Sequence, residues 1–492
     1  MKRPPPEPSS PVASLSSDSS GLELSEGSGV SPDVPSEVEL SDGSDSGSIV
    51  PQHIGAPQPV ADSMAFGFTW PARMLSALRQ ELGDDAIVRG LCAPPQQKAS
   101  THFSGLGTAE LAVDMINFAV AAAFPRAQGS LGFVFACERS VALRRVLLRR
   151  APDRCLFADL AARFSGVEPA VADGRLQFDR AMAAVRRAPM MHTTQCETHG
   201  SMCRLDGVQI DISGSPCTPW SRAVGATRLG REHPTTLLFL MWVRWVLSVK
   251  LRIAIHENVV GFDLSLLQES LGEEYWLEHV RVSPAHLGFP MSRRPRLYSI
   301  ALRKACFRKP PDMQALFDRI VSRMAYHVLG DPFSWVTLAT AAELAQEENR
   351  IRKKRGMEPI DTPSADWSYL LTDAQKRRLR QCKERNSTKL SKRADVYDLG
   401  QNPGGGNEVF CPGLPTLRRG SSRLWLASGQ RWLLPAELRA TMGFPTYRPL
   451  AQAACVAMDT SANEAMFATG NAMHVANVGA VIAIACCMAQ PS

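Results

Sequence analysis

The chain has 492 residues, 45% of them hydrophobic, and a formal net charge of +7, which is room for roughly two to four domains and a sizeable core. No uninterrupted apolar run spans a bilayer: Leu237 to Val249 is broken by Arg244 and stopped by Lys250, and Val478 to Ala489 is too short. No apolar stretch follows Lys2 and Arg3 within Met1 to Ser10, so secretion is not expected, and the twelve cysteines read as free thiols or metal ligands in a reducing compartment.

Charge is unevenly spread. Ten acids between Glu7 and Asp62 face only Lys2 and Arg3 in residues 1–65, so the remainder is more basic than the total suggests. That suits a polyanionic partner, although a generic solubilising surface has the same balance. Residues 1–65 are Ser, Pro, Gly and acid with almost no aromatics, a composition that cannot bury enough apolar area to fold, and we expect a disordered tail. The composition turns globular around Phe66, and Trp70 to Leu82 has helical spacing.

A strand-like approach then leads into Thr101-His-Phe-Ser-Gly-Leu-Gly-Thr-Ala-Glu110, followed by the apolar helical stretch Leu111 to Ala123. A glycine-rich turn between strand and helix lets a ligand approach the backbone and presents helix N-terminal amides, and an ordinary tight turn shares the pattern. The strand Gly132 to Ala136 runs into Cys137-Glu138-Arg139, and Cys155 to Asp159 ends in a second acid. The first acid suits the two hydroxyls of a ribose and the second an exocyclic amine. A glycine turn and two acids on successive βα units form the layout of an adenosine-containing cofactor site.

Next come His192, Cys196, His199 and Cys203, four ligand types with spacing compatible with a small zinc site. Such loops also arise without metal, and we expect none in the chemistry. Alternating Val208, Ile210 and Ile212 suit a strand, and Gly214, Pro216 and Pro219 then forbid regular structure. Cys217 is thus delivered on a sharp loop at a strand end, with a Pro-Cys step that leaves its sulfur projecting. After a helix over Thr235 to Val249, the strand Leu251 to Ile255 ends in His256-Glu257-Asn258-Val259, one βα unit beyond the Cys loop and so at the same sheet edge. Arg281 to Pro290 reads as strand and loop, and Ser292 to Leu302 as a strand whose Arg294 and Arg296 share a face, suited to phosphate, carboxylate or Glu257. Ala341 to Arg355 is a helix with early acids and late bases, and basic runs follow through Arg393. Arg431 to Pro445 holds a capped helix, and Gly470-Asn471-Ala472-Met473 opens a final apolar helix from Val475 to Met488.

Taken in order from about His102 to Ala489, these motifs resemble those of the cytosine-C5 DNA methyltransferases. The resemblance implies a Rossmann-like class I methyltransferase fold, α/β with a mostly parallel sheet and helices on both faces, plus a smaller target-recognition domain. It divides the chain into a tail at 1–65, a catalytic part at 66–304, a recognition region at 305–430 and a return to the catalytic domain at 431–492. It implies S-adenosyl-L-methionine as cofactor, held by Phe103, Gly105, Gly107, Glu138, Asp159, Pro216, Asn471 and Ala472. Cys217 is the implied nucleophile, Glu257 the acid acting on the base, and Arg294 and Arg296 complete the catalytic set. Ser221, Thr416 and Leu417 are the implied DNA contacts. Departures from the family pattern are Thr101 and His102 where an acid often stands, Thr218 after the cysteine, Ser292 for a Gln and Ala436 for an Arg.

The expected partner is double-stranded DNA, bound by a monomer with no membrane association, in a nucleus or nucleoid, with chromatin partners reached through the acidic tail. Two rivals stay open: an RNA cytosine methyltransferase of the same superfamily, and a catalytically idle DNA-binding regulator. A nicotinamide dehydrogenase on a similar sheet leaves the Pro-Cys loop and Gly470-Asn471 unexplained.

Overall fold

The computed structural model describes residues 60–61, 64–92, 97–125, 129, 131–167, 170–221, 229–289, 292, 294–324, 327–328, 338–387, 395–400, 414, 417, 424–459, 470 and 472–489. The tail assigned to 1–65, Thr416, Asn471 and the run from Lys389 to Arg393 therefore fall wholly or mainly outside the described residues.

In chain order the helix α1 (Trp70–Leu82) precedes strand β1 (Gln97–His102), helix α2 (Thr108–Ala123), strand β2 (Leu131–Cys137), helix α3 (Val141–Arg150) and strand β3 (Cys155–Phe157). Helix α4 (Phe178–Arg187) and a small hairpin, β4 (Thr193–Gln195) with β5 (Met202–Arg204), lead to β6 (Ile210–Ser213). Then come α5 (Thr236–Val249), β7 (Ile253–Asn258), α6 (Leu264–Leu271), β8 (Tyr275–Val282), β9 (Arg296–Arg303) and α7 (Met313–Met324). Seven of these strands form one sheet in the order β8-β9-β7-β6-β1-β2-β3. All neighbouring pairs are parallel except the two made by β9, which runs against both β7 and β8.

Strand alternation divides the apolar residues between two faces. Ile253, Ile255, Tyr298, Ile300 and Leu302 point to one core and Ala254, Leu297 and Ala301 to the other. The first is covered by α1, α2, α7 and the last helix, α12, whose range is given below; the second is covered by α4, α5 and α6. The fold class expected from the sequence is the one observed. One strand is longer than its pattern suggested, since β8 begins at Tyr275, six residues before Arg281.

The C-terminal part adds α8 (Ala341–Lys354), α9 (Asp373–Ser387), a three-stranded antiparallel sheet of β10 (Val396–Asp398), β11 (Leu424–Leu426) and β12 (Arg431–Trp432), then α10 (Pro435–Ala440), α11 (Arg448–Ala454) and α12 (Val475–Met488). Thr340 and Glu343 form the capping box that starts α8. The small sheet has its own core of Trp367, Leu370, Leu379, Cys382, Tyr397, Trp425 and Trp432, with the last two indoles edge to face at 5.2 Å.

This packing moves both ends of the expected recognition region. Helix α7 carries an apolar stripe at Met313, Leu316, Phe317, Ile320 and Met324, buried in the main core, so the sheet domain continues past 304. At the other end the small core takes in Trp432 and Leu434, beyond 430. Composition marked the change of character, whereas the stripe on α7 decides which core it joins.

Helix α12 is buried along its whole length. It is admitted so closely because two contacts have no side chain on one partner. A Cβ on Gly479 would lie 2.1 Å from the Trp70 indole, and one on Gly90 would lie 2.6 Å from the Cys486 carbonyl oxygen. Gly479→Val is expected to destabilise the folded chain by about 1–3 kcal/mol through overpacking against Trp70, read as a lower urea midpoint with an unchanged slope.

Candidate active site

In this strand order the chain steps outward from β1 to β2 and β3, then returns to lay β6 and β7 on the other side of β1. That is a topological switch point, and open α/β sheets place ligands in the crevice beyond the carboxyl ends of the strands flanking it. Two loops leave there side by side, because His102 at the end of β1 is level with Ser213 at the end of β6.

The first loop is Phe103 to Gly107. Phe103, Gly105 and Gly107 have φ of 55°, 57° and 70°, the left-handed region that costs glycine little and a bulky residue more. Gly107 starts α2, and a Cβ there would come within 2.9 Å of Leu147. The Gly105 N–H donates to Glu138 Oε2 at 2.8 Å and the Ser140 N–H to Oε1 at 2.8 Å, so the Glu138 carboxylate is fixed at the tip of β2 with lone pairs to spare. Asp159, beyond β3, accepts from the Ala161 N–H at 2.9 Å and lies 3.7 Å from the Arg139 guanidinium.

The second loop is Gly214 to Ser221. Both the Trp220 and the Ser221 N–H donate to the Cys217 carbonyl at 3.0 Å, a turn that opens at the thiol. Two residues earlier, the Ser215 hydroxyl pairs with His256 Nε2 at 2.8 Å, and Asn258 Nδ2 donates to Ser215 at 3.3 Å. His256 and Asn258 lie on one face of β7 and Glu257 on the other. The residues flanking the acid therefore clamp the loop that carries the thiol, while Glu257 Oε1 sits 3.1 Å from Arg296 Nε. Glu257 and Met473 occupy the space above Gly214, where a Cβ would lie 3.1 Å from Glu257 Oε2 and 2.8 Å from Met473. A cleft joins the loops, lined by Phe103, Gly105, Gly214, Glu257, Ala472 and Met473 among others.

Beneath both loops lies a charged group that sequence reasoning passed over. Asp211, fully buried, accepts from Ser100 Oγ at 2.7 Å, His102 Nδ1 at 2.8 Å and Trp242 Nε1 at 2.8 Å, and also from Ser213. Burial pushes its carboxyl up, but His102 and these donors hold it below the usual carboxylate range. The Arg163 guanidinium donates to His102 Nε2 at 2.6 Å, which leaves Nδ1 as the protonated nitrogen facing Asp211. Burial and Arg163 lower the imidazole pKa. The available signal was an acid inside an otherwise apolar strand, Ile210-Asp-Ile-Ser213.

The sequence-derived residues do not all stand alike. Arg296 meets Glu257, but Arg294 donates to the carbonyls of Leu417 at 3.0 Å, Gly470 at 2.8 Å and Ala472 at 3.0 Å. It is a buried brace between loops, and burial, with Arg296 beside it, brings its guanidinium down to about 9. Leu417, expected at the DNA surface, is buried in the main core with only 8% exposure. His192 lies outside the Cys/His cluster, which takes Cys155 instead. Spacing along one loop cannot reveal a residue contributed by a strand about forty positions earlier.

Fold and site together define a doubly wound α/β protein with a thiol, an arginine-paired carboxylate and a glycine-rich loop at one switch point. No family model and no curated protein matches the chain. It is similar to solved structures of a mutant Spodoptera frugiperda DNMT2 (14% identity, TM-score 0.37, 79% of this chain and 99% of that one). Others are the Entamoeba histolytica methyltransferase EhMeth (13%, 0.39, 80% and 98%) and an Escherichia coli prophage protein described as a putative DNA modification methyltransferase (13%, 0.39, 76% and 99%).

Two outcomes are expected. Asp211→Ala leaves His102, Arg163 and Trp242 facing a buried void and costs about 3–5 kcal/mol in denaturant titrations. Burial, with Glu257 adding to it, raises the Cys217 thiol, while Arg296 and Arg294 pull it down. Because the thiolate is the reactive form, Cys217-specific alkylation, measured against a Cys217→Ser baseline, keeps accelerating past the ordinary thiol range. Glu257→Gln shifts that profile to lower pH and Arg296→Ala to higher pH.

Proposed function

We propose that the chain is a cytosine-C5 methyltransferase that uses S-adenosyl-L-methionine and acts on double-stranded DNA. The observation that carries this reading is Glu257, paired with Arg296, lining the cleft of the Phe103 to Gly107 turn together with Gly214 of the Cys217 loop. The motif resemblance given above supplies the chemistry.

The cleft residues suit the cofactor. Three alternate left-handed residues bare the backbone at a helix N-terminus, Glu138 keeps free lone pairs for a ribose, and Asp159 stands at the next strand end. When bound, S-adenosyl-L-methionine supplies an electrophilic methyl group. Cytosine C5 is a poor nucleophile until Cys217, as thiolate, adds to C6 and turns the ring into an enamine. Glu257 hydrogen-bonds N3 and the exocyclic amine and stabilises N3 as electron density arrives there. Arg296 keeps Glu257 oriented, and Arg294 keeps the loops together. After methylation at C5 a base takes the C5 proton and the C6–S bond breaks, which restores the thiol.

The target carbon is inaccessible inside a duplex, so the base must be flipped out at a cost of a few kcal/mol. Exposed Lys353, Lys354, Lys376, Arg377 and Arg380 on α8 and α9 offer phosphate contacts that offset this cost and make affinity fall with salt. A location with DNA, in a nucleus or nucleoid, and chromatin partners for the acidic tail belong to the same proposal.

Labelled methyl transfer to duplex DNA and to transfer RNA is the test. The expected result is 5-methylcytosine in DNA, lost with Cys217→Ala and reduced at least about 100-fold in kcat with Glu257→Gln. Label confined to RNA moves the substrate to the rival reading, and DNA binding without label in either moves the protein to the idle regulator.

A further inference from the structure

We propose that Cys155, Cys196, His199 and Cys203 form a structural zinc site that fastens the β4–β5 hairpin to the outer strand β3. The four ligand atoms lie within 4.8 Å of one another, and His199 Nδ1 is 3.4 Å from each of the three sulfurs.

Hydrogen bonding does not account for three equal distances. A ring nitrogen has either one N–H or one in-plane lone pair, so it can satisfy one thiol and not three. A tetrahedral ion does account for them. With zinc–sulfur near 2.3 Å and zinc–nitrogen near 2.0–2.1 Å, the nitrogen-to-sulfur edge of the tetrahedron is about 3.5 Å. Three cysteines and one histidine fill four positions and leave none open for substrate, which marks a structural rather than a catalytic ion.

The backbone is built to bring these residues together. Cys196 follows β4, and its N–H donates to the Ser201 carbonyl at 2.9 Å. The Gly200 N–H, at a φ of 62°, returns to the Cys196 carbonyl at 3.0 Å. Cys203 on β5 is paired with Thr194 on β4. Cys196 also bridges to Phe157, and the Glu197 N–H donates to the Leu156 carbonyl at 2.8 Å, so the hairpin lies along β3, whose first residue is Cys155.

Beyond these contacts the hairpin has the Arg144–Glu197 ion pair at 2.7 Å and the Thr198 hydroxyl donating to the Arg154 carbonyl, but its own ladder is short. Its strands have three residues each and Met202 is 57% exposed, and an isolated two-stranded hairpin of that kind is marginal in water. Asp159 lies four positions beyond Cys155 on the segment that the ion would hold, so the site steadies the segment that carries this acid without touching it. This inference does not depend on the methyl-transfer reading.

The test is metal analysis of the full chain purified without chelator. The expected result is about one zinc per chain, reduced at least about fivefold in Cys155→Ser, Cys203→Ser and His199→Ala. It is retained in His199→Cys, which supplies another thiolate, and in His192→Ala and Cys455→Ser. Far-UV circular dichroism establishes that each variant is folded. Cobalt added to chelator-treated native chain gives the intense visible bands and thiolate charge-transfer absorption of a tetrahedral sulfur-rich site, absent in Cys155→Ser. No zinc in the native chain together with no such cobalt spectrum overturns the proposal, and so does zinc that persists undiminished in folded Cys155→Ser.

Discussion

The Asp211 carboxylate is the group on which the site depends. It sits in the middle of the sheet, where an unpaired charge would cost many kcal/mol, and it is tolerable only because four donors converge on it. Those donors come from β1, which supplies Ser100 and His102, from β6 and from α5, so the demand for pairing fixes the relative positions of the strands whose ends carry the two functional loops. His102 and Ser213, the last residues of their strands, are held by the same carboxylate from which the Phe103 and Gly214 turns diverge. Geometry at the cleft is thus set from below.

Above that base the labour is divided between the two faces of one short segment. In His256-Glu257-Asn258 the outer two residues hold the backbone two positions before Cys217, and the middle one is left to face the cleft with Arg296. A burial that brings His256 down to about 3 keeps it an uncharged partner for Ser215 throughout the neutral range. Arg294 makes the complementary contribution from the far side. By holding three backbone carbonyls from two separate segments, it joins the end of the recognition part to the approach to α12.

Much of this was legible in the sequence, and the reasons for the exceptions are physical. Strand ends followed by Gly-x-Gly, Pro-Cys and Glu-Asn are local features, written in consecutive residues, and the sheet edge they share follows from βα order alone. What was not legible depends on contacts between segments far apart. Asp211 reads as a blemish in an apolar strand until His102 and Trp242 are brought to it. Cys155 reads as the start of a strand until the hairpin folds back on it. Arg294 and Arg296 look equivalent two positions apart, and only tertiary packing gives one a carboxylate and the other three carbonyls. Leu417 is a residue read for its motif whose burial in the main core no local pattern announced.

The close seating of α12 has a consequence for how the chain acquires its structure. Trp70 and Gly90 are made early and Gly479 and Cys486 late, yet they share one contact surface. The apolar surfaces of α1 and α2 that receive α12 therefore stay open until residues 475–488 have been synthesised, well after the other helices on that face. Contacts separated by some four hundred positions are slow to form, because the loop entropy must be lost before the burial is gained. An apolar surface exposed for that interval invites association with other nascent chains, and the seating of α12 is what ends that exposure.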